Sequence, residues 1–358
     1  MTFSSHFIKE QAAQIGFSAC GLAKARPVDE ATADGYRQWL AQGAHATMGY
    51  LADHVDKRLD PTLLLPGALS IIVVALNYAP ATHFPPGEYQ LAAYALGRDY
   101  HDVLKARLRQ LAAQCLPAEA ETKVAVDTVP ILERYWAWQA GIGFLGRNHQ
   151  LIIPGAGSML FLGEIVTTAA FDAYDAPQPC RCGSCHRCID ACPTGAITIQ
   201  CSMFKAHRCL SYQTIENRGP LDDDVKDKLG TTIYGCDRCQ QACPWNREAQ
   251  PTDIAELQPT ASLLGMTRDD WHRLTLEQYQ QLFRGSAVKR AKYEGLMRNI
   301  RAVEGGTWRP TRDCTFRLEK ASRQATDACR EAFVSASSMV PAPISLSRLV
   351  ALPVLPSR

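Results

Sequence analysis

The stretch Cys182-Gly-Ser-Cys185-His-Arg-Cys188-Ile-Asp-Ala-Cys192-Pro193 decides how this chain is read. Its spacing, C-x2-C-x2-C-x3-C-P, is that of bacterial proteins holding 4Fe-4S cubes, in which three thiolates take one cube and the fourth reaches across to another. Two-residue gaps let a tightly turning backbone aim successive thiolates at different irons. The amide hydrogens then face the sulfides, and the proline turns the chain away. A second run, Cys236-Asp-Arg-Cys239-Gln-Gln-Ala-Cys243-Pro244, is one cysteine short of the full pattern, and Cys209 upstream is the natural replacement. The crossed rule then assigns Cys182, Cys185, Cys188 and Cys243 to one cluster and Cys192, Cys209, Cys236 and Cys239 to the other. Cys180 and Cys201 fall outside the repeat and are read as non-ligands. Structural zinc is the alternative, since C-x2-C pairs also build tetrahedral sites. Eight cysteines in this order, with both prolines in place, favour a pair of cubes.

Working outward, ten of the 14 cysteines of this 358-residue chain lie between 180 and 243. The N-terminus shows no secretory pattern, so dense cysteines read as metal ligands of a cytoplasmic protein rather than as disulfides. The longest uncharged stretch, 61–87, is interrupted by Pro66, Gly67, Pro80, Pro85 and Pro86, which excludes a continuous membrane-spanning helix there. With 46% hydrophobic and 21% charged residues, the chain is globular rather than disordered, and its length suits two domains or one large domain with an insert.

Ahead of the cysteines, helical spacing is expected up to Gly16, at 36–43, over 99–116 and over 130–140. Strands are expected at 70–76, an apolar run between turn residues, and at 123–126. Two more, 151–153 and 159–168, are expected to be joined by the turn Pro154-Gly-Ala-Gly157. The mixture lacks a regular alternation, so the fold class is α+β. Beyond Thr252 the chain reads as helical, with candidate helices at 274–283 and 287–303. Residues 335–358 read as a poorly ordered tail. The net charge of +2 hides a basic stretch, 284–320, with ten Lys or Arg against four Asp or Glu. Such a stretch suits a polyanion or a solvated helix face.

With the cysteines placed, the flanking motifs resemble those of the epoxyqueuosine reductase family, cobalamin and iron–sulfur enzymes of tRNA modification related to reductive dehalogenases. The resemblance covers residues 5–305. It rests on Ile15-Gly-Phe17, Gly43-Ala-His-Ala-Thr-Met48, Arg58, Leu65-Pro-Gly67, Tyr94, Gly97-Arg-Asp-Tyr-His101, Val126-Asp127-Thr128, Ala140-Gly-Ile-Gly-Phe144, Gly157-Ser158, Phe161-Leu-Gly-Glu164 and Tyr212-Gln-Thr-Ile-Glu216 between the cysteine runs. It implies a nitroreductase-like cobalamin-binding catalytic domain over 1–170 and a ferredoxin-like domain with two 4Fe-4S clusters over 171–250. A helical basic region over 251–305 would contact tRNA, and 306–358 remains unassigned. It further implies Asp127 as general acid above the corrinoid, with Arg58, Tyr94, Asp127 and Ser158 lining the corrinoid pocket. Read without the family, Asp127 caps the helix that follows it. Gly141-Ile-Gly-Phe-Leu-Gly146 matches G-x-G-x-x-G, yet it follows a helical segment rather than a strand and so is not a dinucleotide site.

The implied activity is reduction of epoxyqueuosine to queuosine at the wobble position of tRNA, the final step of queuosine biosynthesis. Single electrons would arrive through the clusters from an unidentified donor. The partner is tRNA bearing epoxyqueuosine in its anticodon, approaching over Lys289, Arg290, Lys292, Arg298 and Arg301, and the protein is expected to act as a monomer. Two rival readings are a dehalogenase-like reductase of a small molecule and a two-cluster electron carrier. About 170 residues ahead of the clusters are more than a carrier needs.

Overall fold

Seven consecutive residues, Ser70 to Leu76, are wholly buried, and the fold is organised around them. The computed structural model describes residues 2–198 and 203–305. Its central sheet has four strands: β1 (Ala19–Lys24), β2 (Ser70–Asn77), β3 (Thr122–Ala125) and β4 (Leu160–Thr167). They run β1-β2-β4-β3, antiparallel throughout. A strand buried on both sides needs cover on both faces of its sheet.

One face is covered by helices α1 (Ser5–Ile15) and α3 (Tyr100–Cys115), the other by α2 (Glu30–Ala41) and α4 (Glu133–Gln139). Side chains alternate along the strands. Ile72, Val74 and Leu76 meet Ile8, Ala12, Leu104 and Leu108, whereas Ile71, Val73 and Ala75 meet Tyr36, Tyr135 and Trp136. The helices start where capping residues allow. Ser4, Asp29 and Asp99 accept backbone N–H bonds at the first turns of α1, α2 and α3, and Gly16 ends α1 in left-handed backbone. The result is an α+β layer that carries a cysteine-rich insert.

One expected feature differs. Leu151–Ile152 pairs with Phe144–Leu145 and not with β4, so the turn at 154–157 does not join a hairpin of the central sheet. Pairing across that turn stops at a single bridge between Ile153 and Gly157. The next donor, the Ser158 N–H, is taken by Asn246 Oδ1 of the second cysteine run at 2.6 Å.

The short helices of the cysteine region include α5 (Arg187–Asp190), α6 (Leu210–Ile215) and α7 (Arg238–Gln241), and the region folds back onto the sheet layer. Thr232–Tyr234 pairs in parallel with Gln90–Leu91, and the Ala93 N–H donates to the buried Asp237 carboxylate at 2.6 Å. The last described helix, α8 (Lys292–Val303), fastens this region from the other side. Here the expectation for Arg298 is corrected. It is 2% exposed, and its guanidinium donates to the main-chain carbonyls of Gln213, Asn217 and Gly219 at 2.6–2.7 Å. A side chain spent on interior carbonyls offers no charge to a nucleic acid. Residue 201 and the expected tail lie outside the described residues. Among the described residues, no helix is long and apolar enough to cross a membrane.

Candidate active site

The short helices α5 and α7 each carry one ligand-spaced cysteine, Cys188 and Cys239, and lie side by side, so the two runs face one another. The described cysteines form no disulfide. Their electrostatic neighbours sort them into two groups. Cys188 is pushed up to about 11 by burial and then by Cys243 and Cys185, and Cys243 is raised by burial and by Cys185. Cys209 is raised to about 11 by burial and by Cys192. Cys236 rises to about 12 through burial and Cys209, and Cys239 rises through burial, Cys236, Cys209 and Cys192. With Cys182 beside Cys188 in the first group, the neighbours fall within the crossed sets read from the spacing. Crowded, buried thiols resist ionisation, and a cationic metal centre reverses that resistance, so the donor set suits iron–sulfur clusters. Among the described residues no three His, Cys, Asp or Glu side chains close around a point that could hold a metal ion, so the two sets are neighbours rather than finished coordination shells. Cys180, outside the repeat, shares a hydrogen bond with Cys182 and packs beside Cys243.

All four cysteines of the second set, and none of the first, line one cleft between the sheet layer and the cysteine region. Its other walls include Tyr78, Tyr94, Asn148, Gln150, Leu160 and Gln240. The Asn148 side chain is buried, and its Nδ2 has no protein partner. An aromatic wall with an unmatched amide donor fits a large, amide-rich planar cofactor such as a corrinoid.

A smaller cavity lies next to it and shares the walls Gln150 and Leu160. Here the structure brings Asp127 and Ser158 together with Tyr100, Glu133, Arg134 and Phe161. Asp127 adopts left-handed backbone, φ 54°, at the end of β3. Its N–H donates to Glu133 Oε1 at 2.5 Å, and its Oδ2 accepts from the Tyr100 hydroxyl at 2.6 Å. The His101 ring pairs with the same Oδ2 at 3.3 Å and with Asp99 at 2.7 Å. Burial works against a charged His101, but the bonds to Asp127 and Asp99 prevail and raise it to about 9. Helix α4 begins after Leu132, with no side-chain cap. Asp127 therefore does not act as the helix cap that the local sequence also allowed.

The remaining expected residues are dispersed. Tyr94 lines the larger cleft and donates its hydroxyl to Tyr234 at 3.0 Å. The Ser158 hydroxyl donates to Gln240 at 3.0 Å, tying the smaller cavity to α7. Arg58 is buried and donates to the Tyr50 carbonyl at 3.2 Å, but it lines neither cavity. Lys289, Lys292 and Arg301 are exposed. Arg290 is half-buried, bonded through two nitrogens to Glu216 at 2.8 Å and placed over the Tyr50 ring at 5.6 Å. The G-x-G-x-x-G stretch runs from the end of α4 into a short strand, and Arg147 beyond it donates to the Gly183 carbonyl in the first cysteine run. Reading by sequence gave no role to Tyr100, His101, Glu133, Arg134 or Glu164. Their one signal was that Tyr100, His101 and Glu164 fall within the quoted motifs.

Comparison with known proteins agrees with this geometry. Residues 181–246 match the family model described as "4Fe-4S double cluster binding domain", and residues 58–128 match "Epoxyqueuosine reductase QueG, DUF1730". The protein named epoxyqueuosine reductase from Leadbetterella byssophila is 40% identical over 299 residues, covering 83% of this chain and 97% of that one. A crystal structure of epoxyqueuosine reductase with an epoxyqueuosine-modified tRNA-Tyr stem loop is 30% identical, with a TM-score of 0.74 over 83% of this chain and 80% of that one. The Bacillus subtilis enzyme, in a structure described as having its aspartate catalytic loop swung out of the active site, is 29% identical, with a TM-score of 0.73 and the same coverage. Identity at this level, sustained across the sheet layer and the cysteine region alike, establishes that the chain belongs to the epoxyqueuosine reductase family.

Proposed function

We propose that this chain reduces epoxyqueuosine to queuosine at the wobble position of tRNA, the last step of queuosine biosynthesis, with Asp127 as the general acid. The observation that carries the reading is the shared wall between two cavities, one holding Asp127 and the other lined by the four cysteines of the second set. An oxidoreductase needs its proton donor and its electron source within one enclosed volume. The two clusters would be held by Cys182, Cys185, Cys188 and Cys243 and by Cys192, Cys209, Cys236 and Cys239, with cobalamin in the cleft beside Tyr94 and Asn148; together they supply the electrons and the reducing centre. Catalysis then belongs to residues 1–170, electron entry to 171–250 and tRNA contact to 251–305. The protein would act as a monomer, and a tRNA substrate fits a cytoplasmic protein. The electron donor is a separate partner.

The chain's own part is proton delivery and positioning. An alkoxide is a poor leaving group, so breaking the epoxide C–O bond requires a proton at the oxygen. Asp127 is placed to give it, steadied by Tyr100 and His101, and burial keeps bulk water away. Ser158 fixes the cavity wall against Gln240. The exposed Lys289, Lys292 and Arg301 would meet the tRNA backbone, while Arg290, neutralised by Glu216, would sit at the rim.

The test is anaerobic. With clusters and cobalamin loaded and a reductant present, the protein should convert epoxyqueuosine in tRNA to queuosine, read by nucleoside analysis. Asp127→Asn should retain cofactors and tRNA binding and lose about a hundredfold or more in rate, as expected when a positioned proton donor is removed. Persistence of epoxyqueuosine with fully loaded wild-type protein refutes the proposal.

A further inference from the structure

Turning an epoxide into an alkene and water breaks two C–O bonds and consumes two electrons and two protons, both protons ending on the departing oxygen. The electrons enter through the clusters. A single carboxyl at Asp127 can give one proton at a time, so it must be reloaded within each turnover. We propose that Glu133 and Glu164 hold an exchangeable proton behind Asp127 and return it there during catalysis, an inference that rests on the reading of the reaction as epoxide reduction.

The geometry supports this in two ways. Glu133, the first residue of α4, lines the same small cavity as Asp127 and accepts the Asp127 backbone N–H at 2.5 Å. Glu164 lies in β4 opposite Val73 and Ala125, with no solvent exposure, and neither of its side-chain oxygens has a hydrogen-bond partner. An isolated carboxylate at such a place is strongly disfavoured, so this side chain carries its proton. The titratable and charged groups facing the pair are Asp127, Tyr100, Arg134 and His101, the last reaching the surface beside Asp99. Burial, and then the negative charge of Asp127, raise Glu133 to about 7, with Arg134 and His101 opposing. Burial, Glu133 and Asp127 raise Glu164 well above the ordinary carboxyl range. Glu133 thus titrates at working pH, as a reservoir group must, and Glu164 holds the deeper proton. Nothing in the fold requires two acids here: position 164 faces an apolar layer that includes Val166 and Trp136.

The experiment uses the cofactor-loaded protein and its Glu133→Gln, Glu133→Asp and Glu164→Gln variants. Infrared difference spectra between pH 6 and pH 9 should show the carbonyl band of a protonated carboxylic acid in the wild type. The titrating band should vanish in Glu133→Gln and shift in Glu164→Gln. Glu133→Gln keeps an oxygen that can accept the Asp127 N–H, so tRNA binding and cluster content should be unchanged. Its turnover should fall about a hundredfold, the low end of proton-donor effects, and Glu133→Asp should recover part of the loss. Wild-type turnover should decline as pH rises through about 7, and this limb should be missing in Glu133→Gln. Wild-type turnover in Glu133→Gln, as reloading through His101 alone would give, overturns the proposal. So does an absent band or one unchanged in both glutamine variants. If Glu133→Gln does not fold, Glu164→Gln decides the matter, because it makes no contact with the Asp127 backbone. The infrared result stands whether or not the wild type reduces epoxyqueuosine, so failure of the functional reading is seen separately.

Discussion

Asp127 combines left-handed backbone with a side chain bonded to two residues of α3, and both features come from outside its own segment. A non-glycine residue in that region is held there at a cost of about 1–2 kcal/mol, offset by its surroundings. Nothing in Val126-Asp127-Thr128 shows this. A local reading of Asp127 reaches only the helix cap, because its partners lie 26 and 27 residues away and are brought near by the packing of α3 against the sheet. The family resemblance pointed to the residue, and the structure supplies the reason. His101 allows a check on stability. Its folded value of about 9 lies above the ordinary 6.5, so its pairing stabilises the fold fully below about pH 6.5 and is lost as pH rises through 9. The Tm difference between wild type and His101→Gln should therefore be largest at pH 6 and shrink by pH 10. A difference that grows with pH would contradict this assignment.

Among the elements, the span of α3 and the end of α1 at Gly16 were legible because caps and apolar spacing are local properties, whereas α2 was expected only from residue 36 and starts at Glu30, behind the Asp29 cap. The fate of the turn at 154–157 was not legible, since it depends on Asn246 capturing the Ser158 N–H. Gly157 makes that capture possible. It has φ 78°, and an added Cβ would lie 2.1 Å from Asn246 Oδ1. Gly157→Ala should cost at least about 1–2 kcal/mol from its backbone alone and should loosen the cysteine run at 236–246, lowering both Tm and retained iron. Helix α8 allows a second contrast. Arg298→Ala strips donors from three interior carbonyls, each worth about 1–3 kcal/mol when orphaned, and should lower Tm sharply. Arg301→Ala should leave Tm unchanged and weaken tRNA binding, with a salt slope smaller by about one. A charge count along the chain cannot separate these two arginines. Only the interior position of one helix face does.

For the whole molecule, the cysteine spacing carried the most information, because ligand geometry at a cube is dictated over a few residues. The crossed pairing predicts that Cys209→Ala loses the second cluster while the first survives, so iron content should fall to about half; loss of both clusters would mean the sets do not form independently. The placement of the cavities was not legible. It arises where the chain between β2 and α3 meets the cysteine region, through the parallel pairing of Gln90–Leu91 with Thr232–Tyr234 and the bond from Ala93 to Asp237, 144 residues apart. That pairing has a consequence for biogenesis. At roughly 5–20 residues per second, a ribosome needs about 7 to 30 s to supply the partner that Ala93 awaits. Through that interval the nascent catalytic half carries an unpaired edge and an unclosed pocket wall. Cofactor loading therefore cannot finish before most of the chain has emerged, and a chaperone or an early-arriving cluster would find its opening in that pause.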